Sequence, residues 1–202
     1  VSIRGYFLFM SSDSNRVGSK PILIYGYGNP GRQDDGLGVR LAEELEAWAK
    51  AENISGLVFD MNYQLNAEDA LAVAEARAVV FVDAAREGAE PFEFRPLKPQ
   101  KELSFSTHAM SPESVLALAA ELYDAKPPAW ILAIRGLAWE PNEPPTKTAR
   151  NHLAAARGFL QQWLRSPSRL SQSTTRPPRF GRQGGLAQSA GLQNPTTRIK
   201  PL

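Results

Sequence analysis

The chain has 202 residues, 43% of them apolar, with no cysteine and a formal net charge of +2. That is enough apolar material for one domain with its own core, and the missing thiols exclude disulfides, thiolate metal sites and a cysteine nucleophile. The charge is unevenly placed. Six of the 23 Lys/Arg (Arg169, Arg176, Arg179, Arg182, Arg198, Lys200) and none of the 21 Asp/Glu fall in residues 166–202, which leaves 17 basic against 21 acidic residues before them, a net of −4.

Residues 1–20 read as an N-terminal extension, expected to be poorly ordered. Its apolar patch, Tyr6 to Met10, follows a single basic residue, and no small-residue cleavage site comes after it, so no signal peptide is expected. Whether Met10 is the true start stays open at this point. No apolar run approaches the roughly 18 residues of a membrane span.

After Pro21, Ile22 to Tyr25 is an apolar run without polar alternation, which predicts a parallel strand covered on both faces. A glycine-rich turn and two adjacent carboxylates, Asp34 and Asp35, come next. Leu37, Leu41, Leu45, Trp48 and Ala49 then fall at helical spacing, with Glu43, Glu44 and Glu46 off that stripe. Either acid could cap this helix. One cap suffices, so the other needs a further reason. Leu57-Val-Phe-Asp60 predicts a second strand ending in an acid, and Asn66 opens a helix to Arg77 with Asp69 in capping-box position.

Ala78 to Ala84 predicts a third strand, apolar until Asp83. Phe92, Phe94 and Leu97 alternate imperfectly with Glu93, Arg95 and Lys98, as on a half-exposed edge strand. A polar loop then carries His108. Ser111-Pro112-Glu113 gives an N-cap, a proline at the first helical position and an acid in the first turn of a helix to about residue 125. Ala129 to Ile134 predicts the last strand, followed by a proline-rich loop. Ala149, Leu153, Ala156, Leu160 and Trp163 space a closing helix, on which His152 is expected to face solvent.

The order β-α-β-α-β-β-α-β-α predicts a three-layer α/β/α sandwich. Its twisted sheet is mostly parallel with one antiparallel or edge strand, and helices cover both faces of a single domain over residues 21–165. Residues 166–202, rich in Ser, Pro, Gln, Gly and Thr, read as a disordered basic tail that cannot build a core. Such a tail could touch nucleic acid, but it lacks interleaved aromatics beyond Phe180 and is read as carrying no function.

Strand-end polar residues carry the chemistry. Open α/β sheets bind ligands at the carboxyl ends of their strands, and that edge receives Asp35, Asp83 and His108. Two carboxylates and an imidazole suit a divalent transition metal such as nickel or zinc. A histidine just before a helix N-terminus is favoured in its neutral, ligating form. Each residue also has a plain reading: Asp35 as a helix cap, Asp83 as a carboxylate bonded to loop backbone, His108 as a loop residue. Asp60 is either a strand-end cap or part of the same site.

Two other patterns overlap the first turn. Gly26-Tyr-Gly-Asn-Pro-Gly31 satisfies the dinucleotide fingerprint, but Pro30 and two carboxylates stand where a helix N-terminus should hold a pyrophosphate. The same residues resemble the opening of peptidyl-tRNA hydrolases. That family needs a catalytic histidine in the following segment, where this chain reads Arg32-Gln-Asp-Asp-Gly-Leu-Gly-Val-Arg40, and an acidic segment repels tRNA phosphates.

Asp34-Asp-Gly-Leu-Gly38, Phe81-Val-Asp-Ala84 and Thr107-His-Ala-Met-Ser-Pro112, in this order, resemble the maturation endopeptidases of NiFe hydrogenases over residues 21–164. The resemblance implies a cytoplasmic, monomeric peptide-bond hydrolase that removes a C-terminal extension from the hydrogenase large-subunit precursor once nickel is inserted, with no nucleic-acid or membrane partner. It implies Asp35, Asp83 and His108 as the metal-contacting side chains, meeting nickel supplied by the precursor, and no organic cofactor. Three ligands without thiolate leave positions that precursor cysteines can fill. Asp35 is the candidate for proton transfer. A non-catalytic nickel-sensing chaperone would carry the same residues.

Many members have Asp-Gly-Gly after the second strand, where this chain reads Asp60-Met-Asn-Tyr-Gln-Leu65. The loop is expected to be stiffer and bulkier for the lost glycines, and Asp60, Tyr63 and Gln64 are expected to contact substrate.

Overall fold

A computed structural model of the protein describes residues 20–100 and 110–166. The expectations for residues 1–19, for His108 and for residues 167–202 lie outside the described residues.

Five strands, β1 (Ile22–Tyr27), β2 (Leu57–Asn62), β3 (Ala78–Ala85), β4 (Phe92–Leu97) and β5 (Ala129–Arg135), form one sheet in the order β2-β1-β3-β5-β4. Every neighbouring pair is parallel except β4 with β5, where Phe92 opposes Ile134 and Leu97 opposes Ala129. Among the described residues the α-helices are α1 (Leu37–Ala51), α2 (Asp69–Ala74), α3 (Pro112–Tyr123) and α4 (Lys147–Leu164). The expected sandwich and its antiparallel edge strand are both present.

Period-two alternation sorts the apolar residues onto the two faces. Ile22, Ile24, Val80, Val82, Trp130, Leu132 and Ile134 pack under α1 and α4, whereas Leu23, Tyr25, Val79, Phe81, Ala129 and Ile131 pack under α2 and α3. Strands buried on both faces need no polar alternation, which is why the runs at 22–25 and 78–82 were readable. Each fully buried aliphatic side chain contributes about 1.5–3 kcal/mol. Beneath α4 the core is aromatic: Phe94 lies 5.0 Å from Phe159 and 5.4 Å from Trp163 between ring centroids.

Four local expectations need correction. The second helix spans only Asp69–Ala74, because Arg77 already donates its N–H to the Pro21 carbonyl (2.8 Å) as the chain enters β3. Half of its capping box forms: Asp69 Oδ2 accepts from Asn66 N–H at 2.7 Å, while the Asn66 side-chain amide donates to the Gln64 carbonyl. Neither Asp34 nor Asp35 caps α1, since a 3₁₀ turn, Gln33–Gly36, feeds the helix with Gly36 at the cap position. His152 does not face solvent. It is buried, with Nδ1 2.8 Å from the Arg135 carbonyl oxygen, and so ties α4 to the end of β5.

Candidate active site

The site is built where β1 ends and α1 begins. A Cβ on Gly38 would fall 2.3 Å from the Tyr27 carbonyl oxygen and 2.4 Å from that of Val82, so only glycine lets the first turn of α1 rest on the ends of β1 and β3. Gly28, at φ +124°, turns the chain past the site; a Cβ there would meet the Asp35 carbonyl oxygen at 2.1 Å, with Asp83 Oδ1 at 3.9 Å. The turn therefore brings the Asp35 segment and the Asp83 carboxylate to one place at the carboxyl edge of the sheet.

Asp35 Oδ2 accepts the Asn29 N–H at 3.3 Å. Asp83 Oδ1 accepts the Ala84 N–H at 2.7 Å. Burial pushes the Asp83 carboxyl up to about 7; bonds from the Ala84 N–H and the Tyr27 hydroxyl pull it down, and the negative charge of Asp35 adds to the rise. Tyr27 is pushed well above its ordinary value, first by burial and then by the charge of Asp83 and its bond to it. It stays protonated and donates to the carboxylate. Tyr27 was missed in the sequence; the available signal was its place two residues beyond Tyr25 on the same face of β1.

The adjacent acids divide the work. Asp34 is 0% exposed and satisfied by a distant loop: its Oδ2 accepts from Leu137 N–H (2.8 Å), Ala138 N–H (3.1 Å) and Thr146 Oγ1 (3.0 Å), and its Oδ1 from Thr146 N–H (2.7 Å). Thr146 is the N-cap of α4, accepting from Ala149 N–H at 3.1 Å. Further bonds lace the same two loops: Arg32 Nε donates to the Trp139 carbonyl (3.0 Å) and Asn142 N–H to that of Gly31 (2.8 Å). Asp34 fixes the frame, and Asp35 lies beside the Gly28 turn, its charge felt by Asp83.

Asp60 lies inside β2, which continues to Asn62, so it is not a strand-end cap; its Oδ1 accepts from Met61 N–H at 2.8 Å. Asp60 and the 65% exposed Tyr63 line a groove of about 340 Å³ together with Gly28, Pro30 and Glu43. Gln64 is exposed, its side-chain amide 3.4 Å from Asn66 Oδ1, and does not line this groove. His108 is outside the described residues. Two residues further on, Met110 donates its N–H to the Leu65 carbonyl at 3.2 Å. Among the described residues no cluster of three metal-ligating side chains forms; of the expected trio, Asp35 and Asp83 lie near enough for the charge of one to act on the other.

Solved hydrogenase maturation proteases share this architecture. The NiFe hydrogenase maturation protease HycI from Thermococcus kodakarensis KOD1 superposes with a TM-score of 0.58 at 24% identity, over 74% of this chain and 96% of that one. The fold is that of the hydrogenase maturation proteases. The maturating endopeptidase HybD from E. coli (TM-score 0.55, 20% identity, 72% and 92% covered) and the hydrogenase 2 maturation peptidase from Thaumarchaeota archaeon SCGC_AB-539-E09 (0.53, 16%, 72% and 98%) share it. No protein-family model and no curated protein sequence matches the chain. Each of these superpositions covers about three quarters of this chain and more than nine tenths of the solved structure.

Proposed function

We propose that the protein is an endopeptidase that removes the C-terminal extension of a NiFe hydrogenase large-subunit precursor after nickel insertion. The observation that carries this reading is the meeting of the Asp35 segment and Asp83 at Gly28, on the fold of the maturation proteases. Nickel enters as part of the substrate. Asp35 and Asp83 offer oxygen donors, and with the imidazole of His108 they suit a borderline divalent ion whose remaining positions precursor thiolates fill. A bound ion of this kind polarises a scissile carbonyl or activates water.

The chain's own groups do the rest. The Tyr27 hydroxyl and the Ala84 N–H hold the Asp83 carboxylate in place, the Asn29 N–H holds that of Asp35, and Asp35 moves the proton. The groove beside Gly28 and Tyr63 receives the extension. We take the enzyme to act as a monomer in the cytoplasm; no helix among the described residues is long and apolar enough to cross a membrane.

The test is mass spectrometry of the nickel-loaded precursor after incubation with the protein. The expected result is a precursor shortened at its C-terminus by the wild type and left intact by Asp35→Asn, Asp83→Asn and His108→Ala, each folded by circular dichroism. Binding without shortening by the wild type would make the protein a chaperone.

A further inference from the structure

The sheet has two edges, and only one is guarded. β4 carries Glu93 and Arg95, exposed, and Pro96, the charges and proline that keep an edge strand from pairing with another chain. β2 reads Leu-Val-Phe-Asp-Met-Asn, with neither Lys nor Pro, and Val58 is 47% exposed.

The pairing of β2 with β1 sets which of its main-chain groups face outward. Ile22 N–H donates to the Gly56 carbonyl (2.9 Å) and Gly28 N–H to that of Asn62 (3.2 Å), so the even-numbered residues of β2 turn to β1. Leu57 and Phe59 therefore direct N–H and C=O away from the sheet. Among the described residues no strand lies beyond them.

Two grooves flank this edge and share Phe59. One, of about 430 Å³, runs along Glu46, Lys50, Asn53, Leu57 and Val58; the other is the groove at Gly28 and Tyr63. The second groove reaches Gly28, whose turn lies beside the Asp35 carbonyl and the Asp83 carboxylate.

We propose that the precursor's C-terminal segment binds as an added strand along the outer edge of β2, bonded to the main chain of Leu57 and Phe59, and is led by that pairing into the groove at Gly28. This inference rests on the endopeptidase reading and names where its substrate docks. Main-chain pairing suits a peptide that must lie extended and in register to offer one bond to the site. From Leu57 to Tyr63 a strand covers about 20 Å, room for roughly six substrate residues. A second copy of this chain would also pair with an open edge, but the position of the edge, leading to Gly28 beside Asp35 and Asp83, favours the segment that is to be cut.

Phe59→Pro removes the outward N–H without touching the bonds to β1, and Phe59→Ala removes the same ring while keeping that N–H. Cleavage of the nickel-loaded precursor is expected to be about tenfold or more slower for Phe59→Pro than for Phe59→Ala, both checked for folding; equal rates overturn the proposal. Amide exchange in the full chain gives a reading that does not need turnover. Adding precursor is expected to slow the Leu57 and Phe59 amides by about tenfold and leave Val58 and Asp60 unchanged.

Slowing without cleavage keeps the docking edge and defeats the endopeptidase reading, and cleavage without slowing does the reverse. Protection that depends only on the protein's own concentration, with a dimer on size exclusion, gives the edge to a second copy and overturns the proposal.

Discussion

Replacing Asp83 by Asn should stabilise the metal-free protein as it abolishes processing. The carboxyl is lifted from an ordinary 3.8 to about 7, chiefly by burial. With each tenfold change worth about 1.4 kcal/mol, the charged form is about 4 kcal/mol less favourable in the folded chain than in the unfolded one. Well below about pH 4 both states hold the proton and the wild type keeps its full stability. Between about pH 4 and 7 the unfolded chain releases the proton while the folded chain retains it, so stability falls as pH rises, and it levels off above about 7.

Asn has no proton to lose, and its amide oxygen still accepts from the Ala84 N–H. Its stability relative to wild type should climb across that window by up to about 4 kcal/mol. Urea unfolding of both proteins, followed by circular dichroism from pH 4 to 8, measures the difference. A gap that stays flat or narrows with rising pH refutes the reasoning.

Asp34→Ala leaves three main-chain N–H groups and the Thr146 hydroxyl without their acceptor, and the expected loss is at least about 3 kcal/mol in urea unfolding. Gly38→Ala drives a methyl into the Tyr27 and Val82 carbonyls, so α1 must lift from the sheet; destabilisation of about 2–3 kcal/mol is expected, together with loss of precursor cleavage out of proportion to it. A Tyr63→Ala, Gln64→Ala double variant should keep wild-type stability within about 0.5 kcal/mol, both side chains being exposed. It should raise the KM for precursor more than it lowers kcat, and unchanged kinetics would remove these residues from the docking surface.

The fold was legible in the sequence wherever burial imposes a period. Doubly covered strands show as unbroken apolar runs, and the stripes at Leu37-Leu41-Leu45 and Leu153-Ala156-Leu160 are the buried faces of α1 and α4. Pairing at a distance leaves no such mark. Asp34 meets partners 103 to 112 residues away, so nothing next to it in sequence distinguished it from a helix cap. His152 sits among Ala, Arg and Asn and read as solvent-facing; only the approach of β5 supplies the carbonyl that buries it. Asp35 and Asp83 could be chosen because each comes after an apolar run that leads to the ligand-binding edge. Tyr27 shared a face of β1 with Tyr25, but its bond to the Asp83 carboxylate is made across strands and leaves no mark in the sequence.

The clasp between Asp34 and Thr146 also bears on synthesis. A ribosome delivers residue 34 long before residue 146, and until the later one emerges the Asp34 carboxylate lacks both donors of Thr146, its main-chain N–H and its hydroxyl. The loop that carries Asp35 therefore gains its full tether on a growing chain only once α4 begins to emerge.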